Sequence, residues 1–131
     1  MIIVDSSVWI DYFNGRDTPH TNKLDSVIGI EPLALGDVIL MEVLQGFTSD
    51  VDFKRARALF QEFEVMEMLG EANAVAAATN YRSLRKSGIT IRSSIDCIIA
   101  TFCITQKHSL LFQDRDYRPF VEKLKLRPVA V

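Results

Sequence analysis

The sequence predicts a single α/β domain spanning residues 1–131 with a mostly parallel sheet, and three observations support this prediction. Short apolar runs alternate with longer segments of helical periodicity, which is the pattern of strands joined by crossover helices. The first run, Met1-Ile-Ile-Val4, is continuous and rich in β-branched residues, as in a strand buried on both faces of a parallel sheet. No long linker or internal repeat divides the chain, and 48% of its residues are hydrophobic, so one domain can bury a sizeable core.

The first half of the chain alternates twice between strand and helix. Ser6 or Ser7 can cap a helix directly after the first strand, and Thr18 before Pro19 marks a second helix, because proline is favoured in the first helical position. An apolar run and the turn Gly36-Asp37 then predict a strand followed by a buried helix. The predicted elements are a strand at 1–4, helices at 8–14 and 19–28, a strand at 32–35 and a helix at 38–45.

The second half repeats this alternation. Apolar residues at helical spacing predict an amphipathic helix, and a longer helix stops at Gly88. Ser93 or Ser94 caps a further helix that is apolar nearly all round, which indicates burial. The predicted elements are a helix at 53–63, a strand at 65–69, helices at 72–86 and 95–103, a strand at 109–113, a short helix at 120–124 and a strand at 128–131.

Composition and cysteine placement exclude several classes of protein. A net charge of -2 argues against a globally basic nucleic-acid binder, although it says nothing about local clusters of charge. No run approaches the roughly 18 apolar residues of a membrane span, and Asp5 comes too early for a signal peptide, so we expect a cytoplasmic protein. Cys97 and Cys103 lie six residues apart in one predicted helix, beyond disulfide reach. Since His20 and His108 have no ligand-spaced neighbour, a zinc site is not expected, and both cysteines are interpreted as core residues.

Four carboxylates occupy places where an acid is unexpected. Asp5 and Asp114 follow predicted strands, whereas Glu42 and Asp96 lie in otherwise apolar helices. Each has an ordinary explanation when taken alone: a cap or turn for Asp5, a solvated turn for Asp114, a gap in the packing for Glu42, and a favourable helix-dipole interaction for Asp96. Because burying an unpaired carboxylate is costly and no basic residue lies at helical spacing from Glu42, a shared cation would explain all four.

Clustered carboxylates favour one kind of chemistry. They are hard oxygen ligands suited to Mg²⁺ or Mn²⁺, which keep several waters and bind phosphates in their remaining positions. Such a site holds one metal, or two about 3.5 to 4 Å apart, and activates water for in-line attack on phosphorus. The pattern therefore predicts phosphate-ester chemistry without a side-chain nucleophile.

The motifs around these acids resemble those of PIN-domain ribonucleases, and most closely the VapC toxins of toxin-antitoxin pairs. The likeness covers nearly the whole chain. It rests on Val4-Asp5-Ser-Ser7, Leu40-Met-Glu42-Val-Leu-Gln-Gly46, Thr90-Ile-Arg-Ser-Ser-Ile-Asp96 and Leu110-Leu-Phe-Gln-Asp114-Arg-Asp116-Tyr117.

This resemblance implies a five-stranded parallel sheet flanked by helices, dependence on Mg²⁺ or Mn²⁺, and endonucleolytic cleavage of RNA that inhibits translation. It also implies a homodimer restrained by a VapB-type antitoxin, with transfer RNA as the substrate guessed from the family alone. By residue, Asp5, Glu42, Asp96 and Asp114 match the catalytic and metal-binding acids, Asp116 matches an accessory acid, and Ser7 matches the small hydroxyl residue beside the first acid.

One position departs from the family pattern. Phe112 stands where many relatives have a threonine two residues before the fourth acid. A hydroxyl contact from that position, to metal-bound water or to substrate, is therefore not expected in this chain.

Basic residues near these motifs are candidates for contacts with RNA phosphates. Arg82, Arg85, Lys86 and Arg92 form the first candidate group. The alternative is that these charges are only a solvated helix face. A second, weaker candidate patch comprises Lys54, Arg55 and Arg57, and for Trp9 and Tyr12 packing in the core or in a dimer is favoured over stacking on bases.

Two other functions fit an α/β chain of this length. One is a phosphoacceptor signalling domain that binds Mg²⁺ through acids at strand ends. Paired acids after the first strand and a lysine after a late strand would be expected there, but serines follow Asp5 and the late strand ends in Asp114-Arg115-Asp116. The other is a catalytically silent domain that binds RNA or protein, against which the complete set of acids argues.

Overall fold

Five parallel strands form one sheet in the computed structural model, which describes residues 1–131. The spatial order is β3-β2-β1-β4-β5, and all four neighbouring pairs are parallel. In chain order the elements are β1 (Ile2–Val4), α1 (Ser6–Phe13), α2 (Pro19–Val27), β2 (Leu33–Gly36), α3 (Asp37–Gln45), α4 (Asp50–Phe60), β3 (Glu64–Met66), α5 (Glu71–Lys86), α6 (Ser94–Gln106), β4 (Ser109–Leu111), a 3-10 helix (Arg115–Tyr117), α7 (Arg118–Leu124) and β5 (Arg127–Pro128). The predicted α/β class, the parallel sheet and its five strands are confirmed.

The central strand is β1, which explains its continuous apolar sequence. It pairs with β2 through Ile2 opposite Leu33 and with β4 through Ile3 opposite Leu110. Ile3 is fully buried, as is Leu110 beside it. A strand between two parallel neighbours, with helices on its faces, has no solvent side on which polar residues could alternate.

Helix α1 packs on an aromatic cluster that contributes to the 27-residue core. The buried Trp9 ring lies edge-on to Phe60, with 5.0 Å between centroids, and stacks on Phe13 at 5.9 Å. Of the two roles considered for Trp9, core packing is therefore the one the structure supports. Cys97 and Cys103 are also buried and unpaired, as predicted.

Several element boundaries differ from the prediction. Helix α1 begins at Ser6 with Asp5 in the N-cap position, and neither serine caps it, because their hydroxyls donate to carboxylates instead. Thr18 and Ser93 do cap α2 and α6, each accepting a backbone N–H three residues on. The last strand covers Arg127–Pro128, earlier than the predicted 128–131, because pairing with Ser109 and Leu110 ends there.

The junction between β2 and α3 is fixed by two local contacts. A Cβ added at Gly36 would overlap the buried Met68 side chain, so any larger residue there requires Met68 to move. Next to it, the Asp37 carboxylate accepts the Val38 N–H at 2.8 Å and the Met68 N–H at 3.0 Å. These contacts tie the start of α3 to the segment after β3.

None of the helices is both long and apolar enough to cross a bilayer.

Candidate active site

The acids meet at the carboxyl edge of the sheet. Val4 pairs with Leu111, and the Asp5 N–H donates to the Leu111 carbonyl at 2.9 Å, so the chain leaves β1 and β4 side by side. Asp5 directly follows β1, and Asp114 lies three residues after β4. Since ligands of open α/β sheets bind at this edge, the topology delivers both acids to the expected place.

Asp5 is the most enclosed of these acids, with 4% of its surface exposed. Its Oδ1 accepts the Tyr117 hydroxyl at 2.8 Å, and its Oδ2 accepts the Ser7 hydroxyl at 2.8 Å. Burial raises the pKa of Asp5 because the charged form loses hydration, whereas the bonds from Tyr117 and Ser7 act in the opposite direction. Ser7, predicted to stand beside the first acid, therefore contacts it directly.

Asp96 lies half-buried in the first turn of α6, and its Oδ1 is 3.2 Å from the Tyr117 hydroxyl oxygen. Its pKa is raised from 3.8 to about 6, chiefly by burial and next by the charge of Asp5, with smaller contributions from Asp114 and Glu42. The Tyr117 hydrogen bond partly offsets this rise. Like charges that perturb one another in this way share a site.

Glu42 faces this site from the middle of α3. Its Oε1 accepts the Ser6 hydroxyl at 3.0 Å, and its pKa is raised first by burial and then by the charge of Asp5. The sequence indicates only a helix-capping role for Ser6 and gives no sign of its contact with Glu42. Because the two residues are 36 positions apart, only the fold shows that they meet.

Three of the carboxylates, those of Asp96, Asp114 and Asp116, converge so that one oxygen from each lies within 4.8 Å of the other two. Asp5 and Glu42 do not join this group at that spacing. The Asp114 side chain also accepts the Asp116 N–H at 2.9 Å, which fixes the start of the 3-10 helix. Three converging carboxylates are the oxygen donors that Mg²⁺ and Mn²⁺ prefer, so this donor set fits a divalent cation.

The basic residues predicted to bind RNA lie in different settings. Arg92 is exposed, but its guanidinium contacts the Asp116 carboxylate at 2.9 Å, and this contact raises the Arg92 pKa. The other three lie near the end of α5, where Arg85 is 5.7 Å above the Tyr81 ring and Lys86 is exposed. Arg82 lines a groove of about 390 Å³ between α5 and α6, which Ser94 also lines, two residues from Asp96. All four residues thus lie on the side of the molecule that carries α5 and the start of α6.

Tyr117 is a further site residue, which the sequence did not single out. Tyr117 lies in the sequence motif around Asp114, but a tyrosine at this position can equally be a core residue. Its fully buried ring is what a core residue would show. Only its hydroxyl, which reaches both Asp5 and Asp96, reveals a polar role.

A family model for the PIN domain matches residues 2–122. The chain belongs to the PIN-domain family. Among curated PIN-domain relatives, the VapC ribonuclease Mb1587 of Mycobacterium bovis and ribonuclease VapC11 of Mycobacterium tuberculosis are each 28% identical over 119 residues, which are 89% of this chain and 89% of the relative.

Solved structures show the same fold. VapBC2 from Rickettsia felis, bound to a promoter DNA fragment, matches with a TM-score of 0.78 and 15% identity over 98% of both chains. FitAcB from Neisseria gonorrhoeae matches with a TM-score of 0.73 and 16% identity over 99% of this chain and 97% of that one. Because these sequence identities are low, the two structures show only that the fold is shared.

Proposed function

We propose that this PIN-domain protein is a divalent-metal-dependent endoribonuclease that acts as the toxin of a type II toxin-antitoxin system in the cytoplasm. The observation that carries the proposal is the convergence of the Asp96, Asp114 and Asp116 carboxylates at the carboxyl edge of the sheet. The curated relatives named VapC ribonuclease support RNA as the substrate, and the family resemblance points to transfer RNA within that class.

The chain's own acids create a site that favours a cation. Asp5 is buried and Asp96 is half-buried, and burial together with mutual repulsion raises the pKa of Asp96. Asp5, Glu42, Asp96 and Asp114 are the residues proposed to hold Mg²⁺ or Mn²⁺, with Asp116 as an accessory acid. When bound, such an ion neutralises phosphate charge and lowers the pKa of water.

Hydroxyl groups orient these acids. Ser7 holds the Oδ2 atom of Asp5, and Ser6 holds the Oε1 atom of Glu42. These bonds restrict how the two carboxylates can turn relative to the cleft. Asp114 is exposed, so it lies on the open side, where a phosphodiester enters.

The RNA backbone would be held by basic residues beside this cleft. Arg82 and Lys86 make no ion pair with an acid, so their charges are available to phosphates. Arg92 contributes differently, because its contact with Asp116 places a positive charge at the rim of the acid group. Exchanging Arg82 and Lys86 for glutamine is expected to reduce the dependence of RNA affinity on salt, whereas glutamine at Lys23 on α2, which belongs to neither candidate group and makes no ion pair, should not.

Homodimerisation and restraint by a VapB-type antitoxin are also part of the proposal. The solved relatives include VapBC complexes, which supports an antitoxin partner. Apolar side chains that are exposed in the single chain are candidates for contacts with a second copy, and they include Met41, Val65, Leu69 and Val75. Light scattering of the purified chain measures the oligomeric state, and co-purification with the product of an adjacent reading frame tests the antitoxin.

Cleavage of a mixed RNA pool tests the function. Purified protein is incubated with the pool in Mn²⁺ or in chelator, and the new 5′ ends are sequenced. The proposal expects specific cuts that bear a 5′-phosphate, require Mn²⁺ and disappear in Asp96→Asn and Asp114→Asn. Glu62→Gln, a change at an exposed acid without a hydrogen-bond partner, is the matched control.

The alternatives make different predictions in the same assay. A silent binding domain retains RNA without cutting it, and this result would refute the nuclease. A phosphoacceptor domain is instead labelled covalently by a small phosphodonor in Mg²⁺. Cutting that persists in purified Asp96→Asn would refute the assignment of this acid.

A further inference from the structure

The Tyr117 hydroxyl contacts two acids that come from different elements. Its oxygen is 2.8 Å from Oδ1 of Asp5, which follows β1, and 3.2 Å from Oδ1 of Asp96, which lies on α6. We propose that Tyr117 is a positioning residue that links these two carboxylates and orients them for a shared divalent cation. This inference rests on the proposed function, which requires such a cation.

The environment of Tyr117 separates the role of the ring from that of the hydroxyl. The residue is fully buried, and its ring packs against Phe112 with 5.1 Å between centroids. A phenylalanine would fill the same space and keep this contact. Only the hydroxyl would be lost, together with its contacts to the two acids.

The two acids depend unequally on this hydroxyl. Asp5 accepts a second hydrogen bond from Ser7, so its orientation has two supports. The Tyr117 hydroxyl has a single proton and lies nearer to Asp5, so Asp96 shares this donor, and no other donor reaches the Asp96 carboxylate. Without the hydroxyl, Asp96 can turn away from Asp5, whose like charge repels it.

Orientation before binding determines cation affinity. A cation that meets two carboxylates already turned toward it does not have to bear the cost of ordering them. Groups that hydrogen-bond to metal ligands and orient them typically contribute 10-fold or more to metal affinity. The Tyr117 hydroxyl is placed to orient both Asp5 and Asp96 in this way.

The test compares Tyr117→Phe with the wild-type protein and with Tyr12→Phe. The Tyr12 hydroxyl lies at the surface, 3.5 Å from Asp25, so its removal is the same chemical change away from the acids. In calorimetry, Tyr117→Phe is expected to bind Mn²⁺ about 10-fold more weakly. In RNA cleavage, kcat should fall by a similar factor while KM changes by less than about two-fold, because the phosphate contacts remain. Tyr12→Phe should match the wild type in both.

A second measurement keeps the site intact. In the variant Tyr12→Phe/Tyr81→Phe, Tyr117 is the only tyrosine, and Mn²⁺ should change its ultraviolet difference absorption with the concentration dependence seen in calorimetry. A folded Tyr117→Phe that binds Mn²⁺ like the wild type would overturn the inference, and so would an unchanged spectrum at saturating Mn²⁺. If wild-type protein itself neither binds Mn²⁺ nor cuts RNA, the proposed function fails instead.

Discussion

Asparagine in place of Asp96 is expected to stabilise the metal-free protein at neutral pH while abolishing activity. The carboxyl is half-buried beside Asp5, and its pKa is raised to about 6. Below about pH 4 it is protonated in both folded and unfolded chains, so folding carries no penalty from its charge. Between about pH 4 and pH 6 the unfolded chain ionises while the folded protein still holds the proton, so the free energy of unfolding falls as the pH rises through about 6. Asparagine stays uncharged throughout and avoids the loss.

The size of the effect follows from the pKa. A rise from 3.8 to about 6 corresponds to roughly 3 kcal/mol at neutral pH. Because Asp96 is only half-buried, solvent screening reduces this to roughly 1.5 kcal/mol. Asparagine also loses the attraction between a first-turn carboxylate and the helix dipole, about 0.5 kcal/mol. The net gain is about 1 kcal/mol, or about 4 °C in Tm for a chain of this size.

Thermal unfolding followed by circular dichroism in chelator measures this gain. Asp96→Asn should melt above the wild type near pH 7.5, and the difference should shrink toward zero near pH 4. Glu62→Gln, at an exposed acid, should leave Tm unchanged at both pH values. A metal-free Asp96→Asn that melts below the wild type at neutral pH would refute the electrostatic reasoning, as would a gain that does not depend on pH.

Three further outcomes are expected. Mn²⁺ at about 100 times its Kd should stabilise the wild type by about 2.7 kcal/mol in chemical unfolding, and an unchanged midpoint would contradict cation binding. Gly36→Ala should cost about 1 to 3 kcal/mol, because its Cβ overlaps Met68, whereas Gly46→Ala, where a Cβ makes only ordinary contacts, should cost less. Ser7→Ala should cost about 1 kcal/mol, since buried Asp5 loses a hydrogen-bond donor, and should raise the pKa of Asp5 further, because the Ser7 bond lowers it; an unchanged free energy of unfolding would argue against this cause.

The sequence predicted the order and type of most elements, and the reasons are local. Three local signals predicted three elements: a continuous apolar run predicted β1, a threonine followed by proline predicted α2, and a serine three residues before an acid predicted α6. Each signal acts within one turn or strand. Short edge elements were placed less well. The strand β5 covers only Arg127–Pro128, and its position depends on pairing with β4, which leaves no pattern in the sequence.

The candidate site was predicted to the level of its acids but not of their partners. A carboxylate in an apolar helix is visible in a sequence because it breaks a pattern, as Glu42 does. A tyrosine or serine that donates to such a carboxylate breaks no pattern, so Tyr117 and Ser6 were not assigned to the site. The structure also separates the acids in a way that spacing alone could not predict, since Asp116 lies in the tight group while Asp5 does not.

The central position of β1 has a consequence for how the site is made during synthesis. Asp5 is translated well before one of the two residues that donate to it, because Tyr117 lies 112 positions later in the chain. The strand β4, which pairs with β1, is likewise translated more than 100 residues after it. A nascent chain therefore contains the first acid long before the residues that complete the cleft, so the proposed site can form only after β4 and Tyr117 have been translated.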